Sequence, residues 1–287
     1  MFPSINITGK PISTYGIFAT IGILLLLFLS MKAAKRFKVD SNNILVTLLV
    51  AGIGAVIGGH ILYALTNFDK IVLVLNNLDK VTSINMWFDI IGTIFGGQVF
   101  YGGLIGAIIA AYIYLRKTHK DIDLYAYIIT PFIPLFHGFG RIGCFCAGCC
   151  FGIPHEHGMT FHDSTIPMAN DVPRLPIQLI ESACNFALFG ILIYLQKKGK
   201  CKQILLYIYL MSYSIIRFVD EFFRGDTYRG FVGPISTSQF ISILIFIFAL
   251  TMIIVKTRIS HKEKDKNSPK KSQSQLKTKI PAKASKK

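Results

Sequence analysis

Arg141 stands near the end of a long apolar run, four positions after His137 and three before Cys144. In a helix those spacings put all three on one face. The surrounding stretch, 137–152, carries five glycines and four cysteines (Cys144, Cys146, Cys149, Cys150) where the apolar run gives way to a polar loop. A charged side chain at membrane depth is costly and faces a cavity or a partner. Glycine lets a backbone come close to a ligand or to another helix. A plainer reading uses the same spacing: a glycine-rich helix end whose arginine snorkels to the interface.

Other polar residues interrupt apolar segments in a similar way. Arg217, Glu221 and Arg224 follow one another at spacings of four and three, on one face if the helix continues. They could form an ion pair that steadies a helix end. Two guanidinium groups around one acid also leave positive charge that suits a phosphate, which takes bidentate arginine contacts. Gln178 and Glu181 follow Pro176 at a helix start, where proline is tolerated and an acid complements the helix dipole. The same pair could instead face a shared cavity. Tyr101, flanked by Gly102 and Gly103 deep in an apolar segment, needs a partner for its hydroxyl. Tyr15 begins the first apolar run and reads as an interfacial aromatic.

The cysteines, with His137, His155, His157 and His162 nearby, could bind a soft metal. Their spacing matches no zinc finger or ribbon, and adjacent cysteines seldom both reach one ion, so no metal is expected. A disulfide or small buried residues fit the pattern better. Cys184 and Cys201 read as ordinary helix residues.

The elements that must position these groups are membrane helices. Hydrophobic residues make up 52% of the 287 and mean hydropathy is +0.51. An all-α integral membrane protein of about seven spans is expected, each needing roughly 20 apolar residues. The spans are 13–31, 44–65, 90–115, 122–145, 177–196, 203–223 and 235–255. The third, rich in glycine, could be tilted or broken into a re-entrant piece and a span. A stretch at 69–80 is too polar to cross. Gly54-x-x-x-Gly58 and Gly102-x-x-x-Gly106 predict close helix packing. Lysine and arginine cluster after the first, third and fifth spans, which predicts an outer N-terminus and a cytoplasmic C-terminus. The loop 146–176 is then outside, with Arg141 and Arg224 at its level. No cleavable leader is expected at the N-terminus.

The formal net charge of +16 does not point to nucleic acid. Twelve of the basic residues fall between Lys256 and the end, against Glu263 and Asp265. This division predicts a transmembrane catalytic domain over 1–255 and a basic, disordered tail over 256–287 that interacts with anionic membrane lipids.

Four segments in this order resemble the prolipoprotein diacylglyceryl transferases of bacterial membranes. Arg141-Ile-Gly-Cys-Phe-Cys-Ala-Gly-Cys-Cys-Phe-Gly152 is similar to that family's Gly-Arg-x-Gly-Asn-Phe-x-Asn-Gly-Glu-x-x-Gly signature. Tyr101-Gly-Gly-Leu-Ile-Gly106 is similar to its His-Gly-Gly-Leu-Ile-Gly segment. Pro176-Ile-Gln-Leu-Ile-Glu181 and the segment Arg217–Asp226 have counterparts as well. The resemblance implies transfer of the diacylglyceryl group from phosphatidylglycerol to the lipobox cysteine of prolipoprotein signal peptides, at the outer face of the bacterial inner membrane, without a cofactor. It implies Arg141 and Arg224 as catalytic groups and a base at Tyr101, for which His137, one turn before Arg141, is the candidate replacement. Substrate contacts would come from Arg141, Gly102, Gly103, Arg217, Glu221, Gln178, Glu181, Cys144, Gly152 and Tyr15. The chain departs from the pattern at Tyr101, where the family has histidine, and at Cys144, Ala147 and Cys149, where it has Asn, Asn and Glu. A phenol is a poor base at neutral pH. Two other classes fit the residues less fully: a lipid or anion transporter with an arginine clamp, and a metal- or disulfide-dependent membrane oxidoreductase.

Overall fold

The computed structural model describes residues 3–7, 9–77, 81–164, 166–226 and 231–266. Among these the chain runs β1 (Ser4–Ile7), β2 (Lys10–Ser13), α1 (Thr14–Arg36), α2 (Ser41–Thr66), α3 (Phe68–Leu75), α4 (Ile84–Phe95), α5 (Phe100–Lys117), α6 (Ile122–Ile129) and α7 (Phe132–Ala147). It continues through β3 (Pro154–Thr160), β4 (Pro173–Arg174), α8 (Ile177–Lys197), α9 (Leu205–Asp220), β5 (Phe231–Val232), β6 (Ile235–Ser236) and α10 (Thr237–Lys266). The protein is mostly helical; three two-stranded antiparallel sheets depart from the all-helical expectation. By length and composition α1, α2, α8 and α10 can cross a membrane, and α6 with α7 makes a fifth candidate if counted as one span. The helical part of α10 runs past Lys256 to Lys266, and the remainder of the expected disordered tail, 267–287, lies outside the described residues.

The chain divides into two compact units, Ile23–Phe132 and Met1–Gly22 with Ile133–Lys287. In the first, α1 stops where Lys38 takes a left-handed φ of 56°, and Asp40 caps α2 by accepting from the Asn42 N–H. The two glycine motifs meet each other. A methyl group on Gly58 would strike the Gly102 carbonyl, and one on Gly106 would strike that of Gly54, so α2 and α5 touch backbone to backbone. Ala34, Ile44, Leu115, Tyr125 and Ile128 form the core of this unit beside that seam.

The expected third span is broken between Phe95 and Phe100. A break in a membrane helix leaves peptide groups that need other partners. Here α2 supplies them. His60 Nδ1 donates to the carbonyls of Phe95 and Gly97, the latter at 2.9 Å, and Gln98 Nε2 donates to His60 Nε2 at 3.2 Å. The Val99 N–H completes the patch by donating to the Gly59 carbonyl at 3.1 Å.

In the second unit, α7 ends in a motif that sets up everything beyond it. Gly148 is left-handed (φ 72°), its N–H donates to the Phe145 carbonyl, and the Cys149 N–H donates to the Cys144 carbonyl. Those two bonds are a Schellman cap. Phe151, Phe161 and Ala169 then bury themselves in a small core of the 148–176 loop, flanked by Phe145 and Ile166. On α8 the buried residues include Gln178, Glu181, Ser182, Asn185 and Gln196, a polar stripe at helical spacing, while Ile180 and Ile191 are exposed. On α9 Tyr209, Tyr213, Ser214, Arg217 and Asp220 are buried likewise. A capping box opens α10: Ser236 Oγ accepts from the Gln239 N–H and Gln239 Oε1 from the Ser236 N–H, each at 3.1 Å.

Candidate active site at the end of the seventh helix

The expected grouping of His137, Arg141 and Cys144 on one helix face holds, and α8 supplies the group they face. Glu181 is almost fully buried, with Oε2 at 2.5 Å from Arg141 Nη2 and at 4.0 Å from Arg217 Nη1. Its Oε1 lies 3.7 Å from His137 Nε2. Both polar residues of the α8 start, Gln178 and Glu181, are buried. Gln178, fully buried, donates from Nε2 to the Cys149 carbonyl at 2.8 Å. Ser182 donates to the Gly138 carbonyl at 2.9 Å. The opening turns of α8 thus hold α7 and the loop after it by polar contacts, which in a low dielectric fix geometry strongly. The His137 ring rests on Tyr213 with centroids 4.9 Å apart.

Arg217 pairs with Glu221 at 3.0 Å, as the spacing of four predicts, and also donates to Ser238 Oγ at 3.1 Å. Arg224 does not share their face. The α-helix ends at Asp220, a 3-10 turn covers Glu221–Phe223, and Arg224 is extended with ψ 136°. The helical spacing therefore fails at its last step. Arg224 instead bridges Gly152, while the Ile153 N–H donates to the Phe223 carbonyl and the Gly225 N–H to the Phe151 carbonyl. This ladder lays Arg224 against the loop that leaves α7. Its guanidinium grips Asp226 with both ends, Nε at 3.0 Å and Nη2 at 2.7 Å. Burial works against that charge, but the bond to Asp226 together with the negative charges of Asp226 and Cys150 outweighs it and holds the Arg224 pKa above its ordinary value.

The positive excess expected around Arg217 and Arg224 is balanced by acids. Glu181, Asp220, Glu221 and Asp226 are gathered with Arg141, Arg217 and Arg224. Free donor capacity remains at Arg141, whose Nε is buried with no hydrogen-bond partner among the described residues and whose Nη1 points at Cys144 Sγ, 3.9 Å away. A buried guanidinium with an unused edge is a place for an anionic oxygen.

Cys144, Cys149 and Cys150 converge, with their sulfur atoms all within 4.8 Å of one another. The neighbouring sulfur atoms of Cys144 and Cys150, together with burial, push the Cys149 thiol up. The Cys149 thiol donates to the Cys144 carbonyl, with sulfur and oxygen 3.6 Å apart.

Among the remaining candidates, Tyr15 lies against Gly143 of α7, within one turn of helix of Arg141 and Cys144. Gly152 acts through its backbone: a methyl group there would collide with the Leu175 carbonyl. Tyr101, Gly102 and Gly103 belong to the other unit. The two glycines pack on α2, and Tyr101 sits half-buried in the first turn of α5. Sequence reasoning passed over Arg174, Asp226 and Ser182. Arg174 is buried, lies over the Phe151 ring at 4.4 Å, and donates to the carbonyls of Gly152 and Met168. The available signal was that Arg174 is the one Lys or Arg side chain in the loop 146–176.

Comparison with known proteins finds one family along most of the chain. A family model described as prolipoprotein diacylglyceryl transferase matches residues 4–255. A phosphatidylglycerol–prolipoprotein diacylglyceryl transferase of Clostridium tetani is 33% identical over 244 residues, covering 84% of this chain and 92% of that protein. One from Clostridium perfringens is 32% identical over 244 residues, covering 84% and 90%. One from Helicobacter pylori is 28% identical over 268 residues, covering 89% and 92%.

Proposed function

This chain belongs to the prolipoprotein diacylglyceryl transferase family, and on that premise we propose that it moves the diacylglyceryl group of phosphatidylglycerol onto the cysteine thiol of a prolipoprotein lipobox. The sulfur forms a bond to the terminal glyceryl carbon, the bond from that carbon to the phosphate oxygen breaks, and glycerol phosphate leaves. The thiol proton passes to a base. The observation that carries this reading is the buried Arg141 with its unused Nε edge.

Arg141 takes the phosphate of the lipid, and Arg224 adds a second guanidinium as negative charge grows on the leaving group. Such preorganised charge in a dry site is worth about 10²–10³ in rate for one donor. Glu181, Arg217 and Glu221 orient Arg141, and Gln178 with Gly152 fixes the loop that carries the cysteines. Tyr15 and Cys144 border the substrate. His137, in ion-pair reach of Glu181, is the candidate to take the proton, and Tyr101, matching the family's histidine in sequence, is the alternative. Gly102 and Gly103 bring the α5 backbone close to its neighbour and fix the position of Tyr101.

The reading has the chain cross the bacterial inner membrane about seven times, with the N-terminus outside and the basic tail in the cytoplasm. Supporting this, α5 and the segment of α9 with its 3-10 turn are apolar helices in the expected order, and the basic residues alternate between loops. The deciding experiment compares wild type with Arg141→Ala in transfer of labelled diacylglycerol from phosphatidylglycerol to a lipobox peptide. Thioether product from wild type and a loss of about a hundredfold or more in the variant are expected. No product from folded wild-type protein would overturn the reading.

A further inference from the structure

Three cysteines at positions 144, 149 and 150 have no reason in sequence to meet, because neighbouring side chains usually diverge. Backbone geometry overcomes this. Gly148 at φ 72° reverses the chain at the end of α7, and Cys150, a residue with a β-carbon, also takes a left-handed φ of 55°. That conformation is unfavourable for such a residue and persists only where the surroundings impose it. Gln178 and the ladder through Gly152, Arg224 and Gly225 impose it here. The result is three sulfur atoms within 4.8 Å of one another, Cys144 buried and the other two partly accessible.

The spacing fits a thiophilic cation. Zinc–sulfur bonds of about 2.3 Å in a tetrahedral arrangement put ligand sulfurs about 3.8 Å apart. Closing from the observed separation requires only side-chain adjustment. A disulfide requires one pair to close to about 2 Å. Among the described residues, Cys144, Cys149 and Cys150 are the group of this kind, and they offer three ligands. Structural zinc sites use four protein ligands, whereas sites that do chemistry use three and keep one position for a substrate or water.

We infer that Cys144, Cys149 and Cys150 hold one zinc-class cation whose fourth position takes the thiol to be alkylated. This rests on the transferase reading. The incoming thiol displaces a water molecule, its proton passes to the base of the transfer reaction, and the sulfur stays on the cation as a thiolate. That thiolate attacks the glyceryl carbon, the carbon–oxygen bond breaks, and glycerol phosphate departs beside Arg141 and Arg224. The thioether is a weak ligand, so it is released and water returns. No oxidation or reduction takes place. Lowering the pKa of a bound thiol is work a cation does well, and the chain presents Tyr101 where its relatives are expected to carry a histidine.

The test uses the reduced full chain in detergent, stripped of metal and titrated with Co²⁺. One equivalent should produce thiolate-to-cobalt charge-transfer bands with tetrahedral ligand-field absorption. The bands should vanish in Cys149→Ser/Cys150→Ser and persist in Cys146→Ser and Cys184→Ser. A lipobox peptide should intensify them, and the same peptide with serine in place of its cysteine should not. Stripping should lower transfer about a hundredfold, with Zn²⁺ or Co²⁺ restoring it.

Absence of thiolate–cobalt bands from reduced wild type would overturn the inference. So would bands that survive the double substitution, equal responses to the two peptides, or a disulfide among the three cysteines in protein taken from membranes without reductant. Full transfer activity in metal-stripped protein would sink the inference and leave the transferase reading standing. Lack of transfer by every preparation, metal-loaded ones included, would instead sink the transferase reading.

Discussion

Glu181 is a counter-ion shared between Arg141 and Arg217, two residues on different helices, with Oε2 at 2.5 Å from the first and 4.0 Å from the second. Replacing it with glutamine removes the charge while keeping the shape. Breaking a buried pair from one side costs about 3–5 kcal/mol, because the remaining charge is left uncompensated. Glu181→Gln should therefore unfold at clearly lower temperature in detergent, and Glu181→Asp should lie between it and wild type. A melting temperature unchanged by Glu181→Gln would show that the arginines are neutralised by other groups.

Arg224 grips Asp226 through two parallel bonds, a geometry that lysine cannot reproduce. Arg224→Ala should lower the rate of transfer about 10²–10³-fold, and Arg224→Lys should recover part of it. The two should also differ in pH response. Held above its ordinary value, the arginine keeps its proton throughout the workable range. A lysine loses its proton as pH rises, so Arg224→Lys should decline at alkaline pH more steeply than wild type. Parallel profiles would remove the charge of this residue from the rate-determining step.

Glycines near the site should separate into two groups. At Gly152 a methyl group would meet the Leu175 carbonyl, and at Gly225 it would meet the Gly152 carbonyl. Gly152→Ala and Gly225→Ala should loosen the loop that follows α7, read as faster proteolysis within 151–176. Gly140, inside α7, has nothing within 4 Å of the place a methyl group would occupy. Gly140→Ala should be neutral, or should stabilise by about 1 kcal/mol through helix propensity.

His60 answers for the backbone at the break between α4 and α5. His60→Ala leaves the Phe95 and Gly97 carbonyls without that donor. A hydrogen bond of this kind contributes about 0.5–1.5 kcal/mol. The variant should show faster amide exchange confined to 95–99; equal exchange would mean that the Val99 bond to Gly59 suffices.

Much of the site could be read from spacing, because helical periodicity fixes which residues share a face. His137, Arg141 and Cys144 fall together for that reason, as do Arg217 and Glu221. The glycine motifs of α2 and α5 were recognisable for the same reason. Three features were not legible. Glu181 bridges two arginines across helices, and at a helix start its type is equally explained by the dipole. Arg224 leaves the helical face because α9 stops at Asp220, a boundary decided by pairing with Gly152, far away in sequence. The sulfurs of Cys149 and Cys150 converge through a left-handed cysteine, a conformation no local preference announces. Tertiary contacts settled each of the three.

The burial pattern of α8 reverses what a water-soluble helix would teach about tolerance to change. Gln178, Glu181, Ser182 and Asn185 are inside, while Ile180 and Ile191 face outward. For α8 as a candidate membrane span, outward positions need only be apolar, so leucine, valine, phenylalanine or methionine can be exchanged among them almost freely. Conservative swaps among the inward polar residues, such as Gln178→Glu or Asn185→Asp, cannot be accommodated by solvent, since none is near. In a saturation scan of this helix, the fragile columns would be the hydrophilic ones, and the permissive columns would be the greasiest.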